Sequence, residues 1–118
     1  MWIRVAIEKS SVHLINNNGS YSMSYVEGND IEEYYFDENI AELLENDGFL
    51  TEMWDKLDAL FDWGDCDFFL PEKCIVFREW LKERLEKKCN NDILEIYEIM
   101  LDYANKAIEN DTGISFDF

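Results

Sequence analysis

The chain has 118 residues, and its 27 acidic and 10 basic residues give a formal net charge of −17. A hydrophobic content of 47% is too high for a disordered chain, and no run approaches the ~20 apolar residues that cross a bilayer. Charge of this sign repels nucleic acid and anionic membranes and attracts basic partners. We therefore expect one domain, residues 1–118, of cytoplasmic location, without a signal peptide and without nucleic acid or membrane among its partners.

The N-terminal third has the pattern of strands and turns. Apolar residues alternate with polar or small ones over residues 3–7, which is the period of a half-buried strand. Residues 12–15 are a short apolar run, and Asn16-Asn17-Asn18-Gly19 follows them. Because Asn and Gly tolerate positive φ, this tetrapeptide predicts a hairpin. Residues 21–25, where Tyr and Met alternate with Ser, predict the third strand of a meander.

From Asp37 onward the apolar residues follow the period of helices. The first two predicted helices cover residues 38–46 and 52–63, with Asp37 and Thr51 as their N-caps. The residues that end these two helices or begin the next two are Gly48, Gly64, Pro71, and Asn90 or Asn91.

After a turn at residues 111–113, Ile114, Phe116 and Phe118 alternate with polar residues as a last strand. The predicted fold is therefore α+β. It has an antiparallel sheet of about four strands, three N-terminal and one C-terminal, packed with about four helices.

The charge is concentrated in one third of the chain. Residues 27–67 hold 15 acidic residues and one basic residue, Lys56, whereas residues 68–118 hold 11 acidic and seven basic residues. A general pressure for solubility would spread the charge more evenly, so we expect residues 27–67 to serve a basic protein partner.

No catalytic signature is present in the sequence. It contains no Gly-rich phosphate loop, Cys-x-x-Cys or His-Glu-x-x-His motif, and the single histidine, His13, has no nucleophile pattern attached. Asp65-Cys66-Asp67 lacks the central glycine and distal glutamate of a calcium loop. The three cysteines, at positions 66, 74 and 89, lack metal-like spacing and are expected to be free thiols. We therefore expect no enzyme, no cofactor and no metal. The basic residues of the third helix alternate with glutamates, which predicts a solvated face with ion pairs and not a phosphate site.

The second predicted helix separates two faces at about 100° per residue. Its apolar side is predicted to be core and holds Leu50, Met53, Trp54, Leu57, Leu60 and Phe61. The opposite side, continued beyond Gly64, is named here the acidic ridge and consists of Glu52, Asp55, Asp58, Asp62, Asp65 and Asp67. Lys56 is the only counter-charge nearby, so we expect the ridge to be free of salt bridges. The acidic ridge and Trp63 are the predicted partner-binding site, and a solvated helix face is the alternative.

One segment of this helix resembles a known family. Leu57-Asp58-Ala59-Leu60-Phe61-Asp62 is similar to the Leu-Asp-Ala-Leu-Trp-Asp segment of the barstar family, intracellular inhibitors of a secreted ribonuclease. The resemblance covers six residues, and the predicted order of strands and helices differs from that of barstar. It implies that Asp58 and Asp62 enter a basic active site in the places of substrate phosphates, with Asp55 or Asp65 beside them. In size and charge the chain is also similar to immunity proteins that neutralise bacterial toxins.

These expectations favour an immunity protein, an antitoxin that covers the active site of a basic nuclease toxin with carboxylates. The alternatives are a phage-type nucleic-acid mimic that inhibits a restriction or CRISPR nuclease, and an acidic adaptor without an inhibitory role. Trp63, Phe68 and Phe69 are candidates for exposed aromatic anchors beside the acidic ridge, and burial in the core is the alternative for each.

Overall fold

The computed structural model describes residues 1–7, 12–17, 20–23, 31–57, 66–87 and 91–117, with the backbone alone for 12–17, 20–23, 66 and 67. The elements, in chain order, are β1 (Trp2–Ala6), β2 (Val12–Asn17), β3 (Ser20–Met23), β4 (Ile31–Tyr35), α1 (Glu38–Asn46), α2 (Phe49–Leu57), β5 (Cys66–Phe69), α3 (Pro71–Glu86), α4 (Asn91–Asn110) and β6 (Ile114–Asp117).

Four of these strands form an antiparallel sheet in the order β4-β1-β6-β5. The N-terminal and C-terminal strands are neighbours at its centre, where Ile3 of β1 lies opposite Tyr34 of β4 and Phe116 of β6. The α+β class, with a four-stranded antiparallel sheet and four helices in the described part of the chain, is confirmed.

The predicted meander is wrong. β2 and β3 pair with each other, with Val12 opposite Met23, and form a separate two-stranded ladder. The predicted hairpin pairing is therefore confirmed, but these strands do not extend the sheet from β1. Their places are taken by β4 and β5, which were not predicted. β4 (IEEYY) lacks period-two alternation and β5 (CDFF) has only four residues, so neither carries a strong local signal.

The predicted bounds of α1 are confirmed, and the predicted start of α2 is wrong. The Asp37 carboxylate accepts a hydrogen bond of 3.1 Å from the Ile40 amide, which caps α1. Gly48 follows α1 with a φ of +85°, a left-handed value that favours glycine. The Gly48 carbonyl accepts a hydrogen bond of 2.9 Å from the Glu52 amide, so α2 begins at once, at Phe49, and not after Thr51.

Helix α4 packs against β1 and β6, α3 packs against β5, and an aromatic cluster lies in the core that they share. Pro71 lies in the first turn of α3, as predicted, and α3 directs Cys74, Phe77, Trp80 and Leu81 into the core. The cluster consists of Phe49, Phe69, Phe77, Trp80, Tyr97 and Phe116, whose neighbouring ring centroids are 4.9–6.5 Å apart. The buried residues of α4 are Ile93, Ile96, Tyr97, Met100, Tyr103, Ala104 and Ala107.

The turn that leads into β6 is held from two sides. Thr112 is buried, and its hydroxyl donates a hydrogen bond of 2.6 Å to the Ala6 carbonyl. A methyl group on Gly113, whose φ is +155°, would lie 2.5 Å from Phe68 Cζ and 2.6 Å from the Phe69 carbonyl oxygen. Only glycine fits here, because the neighbouring backbone leaves no room for a side chain.

None of the helices in the described ranges combines the length and the hydropathy that crossing a bilayer requires.

Candidate functional site

The structure describes part of the predicted site. Glu52 and Asp55 lie in α2, which is described as far as Leu57. Asp67 lies in β5, where its backbone is in register with Phe116, and so belongs to the sheet. The remaining predicted site residues, Asp58, Asp62, Trp63 and Asp65, lie outside the described residues.

On α2, the two described carboxylates of the acidic ridge differ in their pairing. Glu52 lies 3.7 Å from the Lys56 ammonium group, one helical turn away, so the expectation of a ridge free of salt bridges is wrong for Glu52. The side chain of Asp55 is exposed, and no basic group in the described part of the chain lies within ion-pair distance of it. Its charge is therefore available to a partner.

Trp54 was predicted to lie in the core, and this is wrong. Its side chain is 50% exposed, whereas Phe49, Met53 and Leu57 of α2 are buried. Phe49, Met53 and Leu57 are spaced by four residues, so the buried face of α2 is centred on Met53. Trp54 follows Met53 by one residue and therefore lies about 100° away from that centre, at the edge of the helix next to solvent.

Trp54 borders a shallow cleft between α2 and α3, with a volume of about 540 Å³. We call it the α2–α3 cleft; the described residues that line it are Trp54, Asp55, Lys56, Leu57, Glu72, Lys73 and Val76. Val76 is 49% exposed, so indole and isopropyl groups both face solvent here. Both lysines have intramolecular contacts, Lys56 with Glu52 and Lys73 over the Phe69 ring at 5.7 Å.

Of the three aromatic anchors proposed from the sequence, the structure describes the side chains of Phe68 and Phe69. Phe69 is fully buried, and its ring packs against Phe77 and Phe116, so it is core and not an anchor. Phe68 is half-buried beside Gly113, and Trp63 lies outside the described residues. Periodicity did not identify Trp54 as exposed, because the pattern along α2 does not show which part of the apolar stripe the neighbouring elements cover.

A second set of carboxylates lies on α1. Glu38, Glu42 and Glu45 are exposed at spacings of four and three residues, which places them on one helical face. Within the described ranges, no basic side chain forms an ion pair with them. These three glutamates contribute to the charge of residues 27–67, but they were not predicted as site residues.

Asp47, between α1 and α2, has the opposite environment. Its carboxylate accepts two hydrogen bonds from Arg84 of α3, one of them 2.9 Å long from Nε, and a third of 2.6 Å from the Tyr97 hydroxyl of α4. Burial, reinforced by the Asp47 carboxylate, raises the pKa of Tyr97 well above its ordinary value. This cluster of three side chains, called here the Asp47 cluster, attaches the α1–α2 turn to α3 and α4. It therefore sets the position of α2.

The described residues offer little for covalent or metal chemistry. No group of three or more potential ligands among them is arranged to hold a metal ion. Cys74 is a buried free thiol, as predicted, and it donates a hydrogen bond of 3.4 Å to the Phe69 carbonyl. Burial raises the pKa of this thiol to about 12, which disfavours the nucleophilic thiolate.

The basic residues of α3 are used internally. Arg78 and Lys82 lie 3.6 and 3.8 Å from the same glutamate, Glu79, and Arg84 points inward to Asp47. The pairs of Arg78 and Lys82 with Glu79 agree with the predicted ion-paired face, whereas the prediction of a solvated position is wrong for Arg84.

Neither protein-family models, nor curated proteins, nor solved structures gave a match to this chain.

Proposed function

We propose that the protein is an acidic inhibitor of a basic protein, an immunity protein that neutralises a nuclease toxin. The net charge of −17 supports a basic partner, because a field of this sign draws such a partner in and repels nucleic acid. The concentration of acids in residues 27–67 supports a contact surface built from α1, α2 and the segment that follows α2.

The observation that carries the proposal is the exposure of Trp54 beside Asp55. A tryptophan that is 50% exposed, next to a carboxylate without an ion pair in the described part of the chain, combines two features of binding surfaces. Tryptophan is enriched among residues that dominate binding energy, and charged groups around it increase the rate of association. A purely solvated acidic helix would need no exposed indole.

In the proposed mechanism, carboxylates of the inhibitor pair with the Arg and Lys groups with which the nuclease binds substrate phosphates. Asp55 and the neighbouring acids of the ridge contact the active site, and the exposed carboxylates of α1 contribute to the long-range field. The inhibitor then excludes the substrate by occupying its electrostatic site, and no covalent step is required.

The nucleic-acid mimic is the second candidate. A mimic would present carboxylates in two rows along its length, as a duplex presents phosphates. The surface of α3 interrupts such rows, because Arg78 and Lys82 both lie beside Glu79 there. This mixed surface favours a local acidic patch and hence the toxin inhibitor.

The test begins with the gene immediately upstream of the one that encodes this chain. Its C-terminal domain is expressed as the candidate toxin, with and without this protein, and growth is measured together with binding at 150 mM salt. We expect protection from a basic toxin domain and a tight complex. A neighbouring domain that is not toxic, or whose toxicity this protein leaves unchanged, would contradict the proposal.

The surface is tested with two charge-matched variants. Asp55→Asn/Asp58→Asn/Asp62→Asn removes three charges from the ridge, and Glu83→Gln/Glu98→Gln/Glu109→Gln removes three from exposed positions of α3 and α4. We expect the first to slow association by about tenfold or more and the second by much less, because the effect depends on proximity to the partner. Equal effects would show that net charge acts without this surface.

A further inference from the structure

The environment of Arg4 shows how one tryptophan and two carboxylates of this protein surround a guanidinium group. The Arg4 guanidinium lies over the Trp2 ring, 5.3 Å from its centroid. It also lies 3.7 Å from a carboxylate oxygen of Glu33 and 3.7 Å from one of Asp117. An indole and two carboxylates thus surround one arginine on the sheet.

The α2–α3 cleft presents the same three groups, one indole and two carboxylates, on the outside of the molecule. Trp54 supplies the indole, and Asp55 of α2 and Glu72 of α3 supply carboxylates on the two sides. Both carboxylates are exposed, and within the described ranges neither forms an ion pair. The cleft's two lysines are already engaged with Glu52 and the Phe69 ring, and no arginine is among the described residues that line it.

We propose that the α2–α3 cleft binds an arginine side chain of the basic partner, with its guanidinium over Trp54 and between Asp55 and Glu72. This inference rests on the proposed function for the identity of the partner. The planar guanidinium stacks on an indole and donates to carboxylates at the same time, and it is less strongly hydrated than an ammonium group. The isopropyl group of Val76, 49% exposed, lies where the methylene chain of the arginine would pack.

The charge of the protein argues against its other possible occupant. The cleft is lined by two carboxylates, Asp55 and Glu72, and by two lysines, so a second copy of this chain is opposed by the net charge of −17 that each whole molecule carries. Repulsion between two such bodies opposes a dimer through this face, whereas it favours a cationic group.

The first experiment uses a peptide and needs no partner protein. Acetyl-Gly-Arg-Gly-amide, its lysine analogue and its uncharged citrulline analogue are titrated at 150 mM salt, and the Trp54 indole N–H signal is followed by NMR. The signal is assigned by its loss in Trp54→Phe. We expect a saturable shift with the arginine peptide and at least threefold weaker binding of the other two peptides.

Two variants locate the binding. Asp55→Asn/Glu72→Gln should weaken binding of the arginine peptide at least threefold, and Glu98→Gln/Glu109→Gln, with the same change in net charge on α4, should leave it unchanged. Equal weakening by both variants, equal binding of all three peptides, or no shift of the Trp54 signal would overturn the proposal. A Trp54 signal that changes with protein concentration alone would assign the cleft to a second copy and also overturn it.

A second experiment separates this inference from the proposed function. The affinity for the toxin domain of the neighbouring gene is measured with Trp54→Ala and Trp54→Phe, after circular dichroism has shown that both variants fold. We expect a loss of at least tenfold for Trp54→Ala and a smaller loss for Trp54→Phe, which keeps an aromatic face. A tight toxin complex that Trp54→Ala leaves intact would overturn the inference while the proposed function stands. Peptide binding in the cleft without any toxin complex would support the inference and contradict the function.

Discussion

Asp47 and Asp55 belong to the same acid-rich segment, eight positions apart, yet they lie in opposite environments. The side chain of Asp47 is 15% exposed and is held by Arg84 and Tyr97, whereas Asp55 is exposed and has no ion pair in the described part of the chain. The carboxylates of residues 27–67 therefore lie in two different environments. One carboxylate fastens the α1–α2 turn to the body of the protein, and the other is left on the surface beside Trp54.

The sharpest test of this difference replaces each aspartate by alanine. Asp47→Ala removes a carboxylate that satisfies a mostly buried guanidinium, and we expect it to lower the free energy of unfolding by about 2–3 kcal/mol. Asp55→Ala should change it by less than about 0.5 kcal/mol, because it removes an exposed charge and introduces a better helix former. Urea unfolding at neutral pH measures both.

The control for Asp47→Ala is Asp47→Asn, which keeps the shape of the side chain and an acceptor oxygen. Its free energy of unfolding should lie between those of the wild type and the alanine variant. If Asp47→Ala and Asp55→Ala lower the free energy of unfolding by the same amount, the Asp47 cluster does not stabilise the α1–α2 turn, and the contrast between the two aspartates is wrong.

The next largest effect is expected in alkaline solution and depends on Tyr97. Its pKa is raised in the folded protein, because burial and the Asp47 carboxylate disfavour the phenolate. Above the ordinary tyrosine pKa of about 10, the unfolded chain loses a proton that the folded state keeps. Stability should therefore be complete below about pH 10 and fall as the pH rises, by up to about 1.4 kcal/mol per pH unit for this group.

Tyr97→Phe tests this dependence. It should cost about 1 kcal/mol at pH 7 through the lost hydrogen bond to Asp47, and it should reduce the alkaline slope. Part of the slope should remain, since burial also raises the pKa of Tyr103 to about 12. The matched control is Tyr35→Phe, which removes a hydroxyl group from a side chain that is 57% exposed. If the loss of stability with rising pH is unchanged in Tyr97→Phe, Tyr97 of the Asp47 cluster is not its cause.

The smallest expected effect concerns the exposed acids. Raising the salt concentration from 0.01 to 1 M shortens the screening length from about 30 Å to about 3 Å, which should raise the melting temperature by a few degrees. Glu42→Gln/Glu45→Gln removes two charges of α1 that form no ion pair with the described residues, and it should raise stability at low salt by a few tenths of a kcal/mol.

Glu79→Gln is the control for this comparison. It removes one acid that lies beside both Arg78 and Lys82, so it should not raise the melting temperature at low salt. A melting temperature that stays flat or falls as salt is added would mean that the exposed acids are better compensated than the described ion pairs indicate.

Local patterns predicted the elements whose signals lie within one turn or one hairpin. Asp37 as the cap of α1, Pro71 in the first turn of α3 and the β2–β3 hairpin were all predicted from a few neighbouring residues. The start of α2 was predicted three residues too late, because Gly48 both ends α1 and accepts the first hydrogen bond of α2.

For the candidate site, the sequence indicated the acidic segment and α2 but not the cleft. Glu72 and Val76 were not predicted as site residues, because they reach Trp54 only when α3 packs beside α2. Periodicity along one helix carries no information about which neighbouring helix completes a cleft.

Composition and short-range pattern alone established the α+β class, the Asp37 cap of α1 and the concentration of negative charge, since each depends on residue types or on neighbours along the chain. The tertiary structure decided which strands pair, which aromatic side chains stay exposed and which carboxylate is neutralised. Arg84 and Tyr97 lie 37 and 50 positions from Asp47, and Thr112 lies 106 positions from Ala6. Contacts at such separations follow from packing the whole core, so they leave no local trace in the sequence.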